Sequence, residues 1–323
     1  MALEAKYKGI LPFLPPKVKK SLLYLSEEFL FGLEEVRLRL LQPILLSHHD
    51  RDVYLTEKGS THHYKTAPVC DEESFCLALN LVTASSLYAM EEEMRRGYVT
   101  LPGGHRVGIA GRALLDKGHI KGQRDISSLN YRIAKAVEGA GEKLLPCLYE
   151  NGIFLNTLLI SPPRCGKTTL LRDLTRLLSD GTAINHSNNI GLVDERSEIA
   201  GSLLGKAQLQ VGHRTDILDA VPKAEGMMMM IRSMAPEIIV SDEIGSGEDG
   251  IAVMEAVNSG IHLLLSAHGR NIGEIRQRPV LAKLLEMEIF QRMIVLSREK
   301  GPGTIQGIYD GKGHPLPERR VRL

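Results

Sequence analysis

The chain has 323 residues, with 40 Lys and Arg against 39 Asp and Glu, so its formal net charge is only +1. This balance gives no overall basic field, and the lack of Trp argues against a stacking surface for single strands, so the composition disfavours a nucleic-acid partner. The sequence has no cationic, apolar leader and no run near the roughly twenty apolar residues of a membrane span, so we expect a cytoplasmic protein that reaches membranes through partners.

The first part of the chain has the pattern of a small α+β domain. Helices are expected after Pro15-Pro16, over residues 72–82 and over 85–96, and strands over 34–40, 97–101, 106–112 and 127–134. The segment 102–105 has the Pro and Gly residues of a hairpin turn. A helix over 137–150 is expected to lead onward, so we place the domain boundary after residue 138.

Residues 139–323 form the second predicted domain, in which strands and helices alternate. Strands are expected over residues 157–160, 189–193, 238–241 and 262–266, and helices over 167–178, 223–233 and 247–258. This alternation predicts a parallel sheet with helices on both faces. Ligands bind at the carboxyl ends of such strands, where Lys167, Asp194, Asp242 and His268 all fall, so we expect one site there.

A phosphate-binding loop is predicted where the first of these strands meets its helix. Its residues are Ser161, Pro162, Pro163, Arg164, Cys165, Gly166, Lys167, Thr168 and Thr169, in the order of a Walker A motif. Backbone N–H groups and the helix N-terminus are expected to hold the phosphates of ATP, with Lys167 at the β- and γ-phosphates and the Thr168 hydroxyl on Mg²⁺. Ser161 stands where the motif usually begins with Gly, and its Cβ narrows the available backbone conformations. The sequence therefore leaves the rate of ATP hydrolysis open.

A Walker B motif is predicted at the end of the strand 238–241, where Asp242 and Glu243 follow an apolar run. Asp242 is expected to hold the Mg²⁺ shell, and Glu243 to orient the attacking water. Together the two motifs predict an α/β protein with a RecA-like P-loop NTPase core, preceded by the smaller α+β domain.

Other polar groups are candidates for the same site. Asp194 or Glu195 is expected to share in holding water or metal, and His268 to donate to the γ-phosphate or to Glu243. A guanidinium suits the spread charge of a transferring phosphoryl group. The candidate arginines are Arg196, Arg214 and Arg232, with Arg106, Arg112 and Arg132 from the first domain; the sequence leaves open which of them face phosphate, and from which subunit.

Four cysteines lie far apart without metal-ligand spacing, as suits a reducing cytosol. One of them, Cys165, lies between Arg164 and a helix N-terminus. We therefore expect a thiol reagent to modify Cys165 first and bound nucleotide to protect it.

Several stretches resemble the stage III sporulation protein AA family. They are residues 35–39, 97–108, 126–133, 161–169, 193–201, 212–216, 223–232 and 240–245. That family is similar to the secretion ATPases of type II and type IV systems, whose hexameric rings carry Walker A, acidic, Walker B and histidine boxes. These boxes match Lys167-Thr168, Asp194-Glu195, Asp242-Glu243 and His268.

The resemblance implies a homo-hexameric ATPase in the mother-cell cytoplasm, at the base of the channel to the forespore, with membrane channel proteins as partners. On this hypothesis ATP and Mg²⁺ lie between the two domains, the ring supplies arginines in trans, and domain closure drives the motor. Two alternatives stay open: a nucleotide-gated assembly module with little hydrolysis, and a RecA-like nucleic-acid motor.

Overall fold

The computed structural model describes residues 9–48, 51–83, 97–134 and 137–316. The chain divides into two compact units, Met1–Ala134 and Lys135–Leu323, and the division falls just before the predicted boundary after residue 138. The predicted helix over residues 85–96 lies outside the described residues. Among the described helices, none is long and apolar enough to cross a membrane.

The described residues of the first unit form one antiparallel sheet and three α-helices. The helices are α1 (Pro16–Leu22), α2 (Glu27–Gly32) and α3 (Glu72–Thr83). The strands are β1 (Leu33–Arg39), β2 (Leu45–His48), β3 (Arg51–Thr56), β4 (Gly59–Thr61), β5 (Tyr98–Leu101), β6 (His105–Asp116) and β7 (His119–Arg132), in the order β4-β3-β2-β1-β7-β6-β5.

The alternation along β1 explains how this sheet buries one face. Val36 and Leu38 are fully buried, and Tyr131 of β7, which pairs with Val36, is buried beside them. Glu35 and Arg37 share an ion pair on the opposite face. Period-two patterning therefore holds the sheet against its helices on one side and leaves the other side polar.

Two strands of this unit are longer than the sequence predicts. The structure extends β6 to Asp116 and starts β7 at His119, and the two strands are joined by Lys117 and Gly118. Both joining residues have positive φ, 47° and 83°. Two-residue hairpin turns of this kind favour Asn-Gly or Asp-Gly, so Lys-Gly is a weak turn signal and the extra length was not predicted.

The second unit is built on a parallel sheet. Its strands are β8 (Tyr149–Glu150), β9 (Ile153–Phe154), β10 (Thr157–Ser161), β11 (Ile190–Asp194), β12 (Thr215–Asp219), β13 (Ile238–Ser241), β14 (His262–His268), β15 (Arg292–Ser297) and β16 (Thr304–Asp310). The main sheet has the order β12-β11-β13-β14-β10-β15-β16, with only β16 antiparallel to its neighbour, while β8 and β9 form a separate hairpin.

The helices of this unit are α4 (Leu145–Leu148), α5 (Lys167–Asp180), α6 (Lys223–Ser233), α7 (Gly247–Asn258), α8 (Ile272–Arg276) and α9 (Pro279–Glu286). They cover both faces of the sheet, as predicted. Leu171 of α5 packs with Leu192 and Val240 in one core, and Met227 of α6 packs with Val193 and Ile239 in the other. Successive strand residues therefore point to two separate apolar layers.

The predicted helix over residues 137–150 is wrong. The structure has a 3₁₀ turn over Glu142–Leu144, the four-residue α4, and strand β8 in its place. Gly139 has a φ of 82°, and Pro146 lacks the N–H that a longer helix needs at that point, so the segment cannot form one continuous helix.

A buried asparagine ties three strands together at the amino edge of the sheet. Asn156 donates from Nδ2 to the carbonyl of Ile289 at 3.1 Å, and its Oδ1 accepts from the N–H of Leu263 at 3.0 Å. We expect Asn156→Leu to lower the free energy of unfolding by roughly 2–5 kcal/mol, because it leaves two buried backbone groups unsatisfied.

Equilibrium urea unfolding measures this effect. The matched control is Asn258→Leu, the same exchange at the exposed end of α7, which should change stability by less than about 0.5 kcal/mol. Equal stability of the two variants would contradict the role given to Asn156.

Candidate nucleotide-binding site

The loop between β10 and α5 has the backbone of a phosphate cradle. Arg164 and Gly166 take left-handed conformations, with φ of 60° and 82°. A Cβ on Gly166 would lie 2.8 Å from the backbone nitrogen of Gly303, whose N–H donates to the carbonyl of Cys165 at 2.8 Å. The connection between β15 and β16 thus packs against the loop, and only glycine fits at position 166.

Ser161 does not strain this loop. It is the last residue of β10, where extended backbone accepts any side chain, and it pairs with His268 of β14. Its hydroxyl donates to the carbonyl of Pro162 at 2.8 Å. We expected a Cβ at position 161 to restrict the backbone conformation of the loop. This restriction does not matter in the structure, because the left-handed residues come later in the loop.

Three basic side chains surround the carboxylate of Glu243. Lys167 Nζ lies 3.0 Å and His268 Nε2 lies 2.8 Å from Oε1, and Arg196 Nη1 lies 3.1 Å from Oε2. Burial acts to raise the pKa of Glu243, but the hydrogen bond and charge of Lys167, together with His268 and Arg196, bring it below its usual value. The Glu243 carboxylate is therefore ionised at neutral pH and serves as the counter-ion of Lys167.

Asp242 is almost fully buried at the end of β13, beside this cluster. Burial raises the pKa of its carboxyl, and the charge of Lys167 opposes that rise. A divalent cation would stabilise the ionised form in the same way. The half-buried Thr168 in the first turn of α5 offers a hydroxyl, and carboxylate and hydroxyl oxygens are ligands that suit Mg²⁺.

Asp194 shapes the neighbouring loop. Its carboxylate accepts three backbone N–H groups, from Glu198, Ile199 and Ala200, at 2.8–3.0 Å. Burial raises its pKa to about 6, and the three N–H donors oppose the rise. Because these bonds hold the loop 194–200 in place, the buried carboxylate acts on loop structure, whereas the sequence interpretation offered it as a ligand for water or metal.

Arg172 of α5 supports the same loop and was missed by the sequence interpretation. Its guanidinium donates to the carbonyls of Ile199 and Glu198 at 2.5 and 2.7 Å. Burial lowers its pKa to about 10, an effect that the charges of Asp194 and Glu198 oppose. The sequence did offer one signal for this role, since Arg172 is a basic residue among the leucines on the core-facing side of α5. The helix that starts at the phosphate loop is thereby bonded to the loop that carries Arg196.

Glu195, Arg214 and Arg232 lie outside the cluster of Lys167, Glu243 and His268. Glu195 forms an ion pair with Lys223. Arg214 lies just before β12, at the amino edge, where it donates to Asn189 and Ser187. Arg232 is exposed in the last turn of α6, which leads back toward that edge. One chain therefore does not bring Arg214 or Arg232 to Lys167, because the site is at the carboxyl edge.

The arginines of the first unit belong to its own sheet. Arg106 lies over the ring of Tyr98, 4.5 Å from its centroid, and Arg132 Nε is 3.8 Å from Glu35 Oε1. Arg112 is exposed on β6 beyond these two. Arg106 and Arg132 are direct cross-strand partners, so these two side chains share one face of the sheet of the first unit.

Solved structures define the class of this fold. The ATPase DotB of Yersinia pseudotuberculosis gives a TM-score of 0.54 at 12% identity, over 90% of this chain and 78% of that one. The pilus retraction motor PilT, solved with bound ADP, gives 0.52 at 15% identity, over 83% and 75%. With its phosphate loop, this chain therefore shares the α/β P-loop fold of these two proteins.

Sequence comparison gives the family. The profile described as Sporulation stage III, protein AA matches residues 4–316. Stage III sporulation protein AA of Bacillus subtilis (strain 168) is 48% identical over 303 residues, which are 94% of this chain and 95% of that protein. The chain belongs to the Sporulation stage III, protein AA family, and the resemblance drawn from its motifs is confirmed.

Burial argues against the expectation that Cys165 reacts first, because this residue is only 4% exposed. Cys76 on α3 is exposed, while Cys70 and Cys147 are buried and burial raises the pKa of each to about 11.

We expect a thiol reagent to label Cys76 at least about tenfold faster than the other three, since reaction needs an accessible thiolate. Mass spectrometry of partly labelled peptides measures this order, and Cys76→Ser should remove the fast phase; a fast phase on Cys165 in native protein would contradict it.

Proposed function

We propose that this chain binds ATP with Mg²⁺ and hydrolyses it, as a motor of the secretion-ATPase type. The supporting observation is that Lys167, Glu243 and His268 meet within 3.0 Å at the carboxyl edge of the sheet, beside the phosphate loop. The family and the P-loop fold support the same function. The pilus retraction motor PilT, which is similar in fold, was solved with bound ADP, and this supports nucleotide binding by the present chain.

The proposed mechanism begins with an exchange of anions at Lys167. In this structure Glu243 is the partner of Lys167. A triphosphate held by the backbone N–H groups of the loop would take that ammonium, because a γ-phosphate carries more charge than one carboxylate. Glu243 would then be free to accept a hydrogen bond from a water molecule and to orient it toward the γ-phosphate.

Thr168 and Asp242 would hold Mg²⁺ in this arrangement. The ion neutralises charge on the β- and γ-phosphates when it is bound. His268 Nε2 stays within reach of both Glu243 and the incoming phosphate, and its contact with Glu243 at 2.8 Å keeps the carboxylate near the loop. Arg196, which reaches Oε2 of the same carboxylate, would lose that partner as Glu243 turns to water.

The finer parts of the proposal concern assembly and location. We propose a homo-hexamer with the domain ranges 1–138 and 139–323, acting in the mother-cell cytoplasm on channel proteins of the sporulation system. Arg196 reaches the site within its own chain. Arg214 and Arg232 lie away from Lys167, so these two could serve only the site of a neighbouring subunit. Family membership and the resemblance to ring-forming secretion ATPases support this assembly.

A second candidate is an assembly module that binds ATP and hydrolyses little. Three basic groups hold Glu243 in this structure, and the free-energy cost of separating its carboxylate from Lys167 and Arg196 would oppose turnover. Tight ATP binding with a change of oligomeric state and negligible phosphate release would favour this candidate. Ser161 gives it no support, since that residue lies in ordinary extended backbone.

Phosphate release by purified protein tests the proposal. We expect Glu243→Gln to lower the rate by about 10²-fold or more with ATP binding retained, because the amide is a poor acceptor for a water proton. Lys167→Ala should lose both binding and release, because the phosphates lose their ammonium partner.

The matched controls are Glu248→Gln and Lys283→Ala, the same types of exchange at exposed positions on α7 and α9. Release is measured across protein concentrations, with sizing on the same samples, so that ring formation is not confused with chemistry. Equal release by wild type, Lys167→Ala and Glu243→Gln would remove the ATPase function.

A further inference from the structure

The end of the β6–β7 hairpin forms a two-stranded arm, which we define as residues 112–124. Its strands pair from Arg112 with Arg124 to Asp116 with His119. The other described strands pair with β6 and β7 only before this stretch, since β5 meets β6 as far as Gly108 and β1 meets β7 from Ser128 onward. The arm therefore extends past the sheet, and residues 112–121 are all exposed.

Large apolar side chains lie on both faces of this arm. Leu115 and Ile120 are direct cross-strand partners, and they are 67% and 55% exposed. Leu114 precedes Leu115 in the same strand, so it points to the opposite face, where it is 38% exposed opposite Gly122. A two-stranded ribbon is marginally stable by itself, so exposed leucine and isoleucine here do not serve a core of the arm.

The same arm concentrates positive charge. Its cations are Arg112, Lys117, Lys121 and Arg124, against the single acidic residue Asp116. Arg124 forms an ion pair with Asp125 just beyond the arm, so the excess is carried mainly by Arg112, Lys117 and Lys121. The full chain carries a net charge of only +1, so this excess belongs to the arm and not to the average surface. Lys117 lies in the turn itself, and Lys121 is the unpaired residue between Ile120 and Gly122, so both lysines flank the pair of Leu115 and Ile120 along the chain.

We propose that this arm binds the surface of an anionic lipid membrane. The headgroup layer of a bilayer is fluid and can surround apolar side chains on both faces of a narrow ribbon. Leucine and isoleucine with flanking lysines are the combination that enters this layer, because apolar groups leave water while the cations meet lipid phosphates. The arm thus gives the protein a direct membrane contact in addition to the partner contacts expected from its family.

Sedimentation of the full chain with vesicles tests the electrostatic part. We expect binding to vesicles of phosphatidylglycerol and phosphatidylcholine, little binding to phosphatidylcholine alone, and weaker binding at high salt. Lys117→Glu with Lys121→Glu should weaken binding at least about tenfold, since each cation near an anionic surface contributes roughly fivefold. The control Lys19→Glu with Lys20→Glu makes the same charge change at exposed positions of α1.

Fluorescence tests the insertion part, because the chain has no Trp. Leu115→Trp places a single tryptophan on the arm and keeps its apolar character, and Leu204→Trp places one at another exposed leucine. We expect a blue shift and quenching by brominated lipid for Leu115→Trp only. Circular dichroism confirms that each variant folds.

The outcomes separate membrane binding from other uses of the arm. Absence of vesicle binding by the wild type would overturn the proposal and leave the arm as a protein-docking element. Binding that the arm and control charge reversals weaken equally, or fluorescence of the Leu115→Trp variant that lipid leaves unchanged, would overturn it as well. None of these measurements requires ATP turnover, so the proposal stands or falls separately from the enzymatic one.

Discussion

Three parallel strands bring one acid and its basic partners together. Lys167 follows β10, Glu243 follows β13, and His268 ends β14, which lies between the other two strands in the sheet. The contact between Lys167 and Glu243 therefore spans a neighbouring strand, and His268 approaches the same carboxylate oxygen from that strand. This geometry exists only when the three strands are in parallel register, since a slip would separate the charges.

Charge balance holds the side chains of this site together. Lys167 is only 6% exposed, and an ammonium in that position needs an anion close by. Glu243 supplies the anion in this structure, and the proposed exchange with a phosphate keeps the balance after ATP binds. The loop 194–200 is held by Asp194 and Arg172, so the chain that positions Arg196 is fixed from both the strand and the helix side. The polar contacts that stabilise the fold around the site therefore also position the side chains proposed to bind ATP.

Most of the correct predictions from the sequence came from short local motifs. The phosphate loop and the Asp242-Glu243 pair are short segments whose chemistry follows from adjacent residues, and the alternation of strands and helices gave the fold class. The weaker predictions depended on distant neighbours. Arg214 is close in sequence to family motifs, yet it lies at the amino edge because it precedes its strand, and Cys165 is covered where the backbone of the β15–β16 connection meets its loop.

The order of residues alone determined the parallel core, the position of the phosphate loop and the acids that follow β13, because each depends on spacing and apolar periodicity within a few turns of chain. Tertiary structure decided which groups meet. It made Asp194 a support for its loop, assigned Arg172 to the same task, and placed Ser161 in extended backbone that accepts any side chain. Burial and hydrogen bonding between separate segments determine those roles, and the spacing of residues within a motif predicts neither of them.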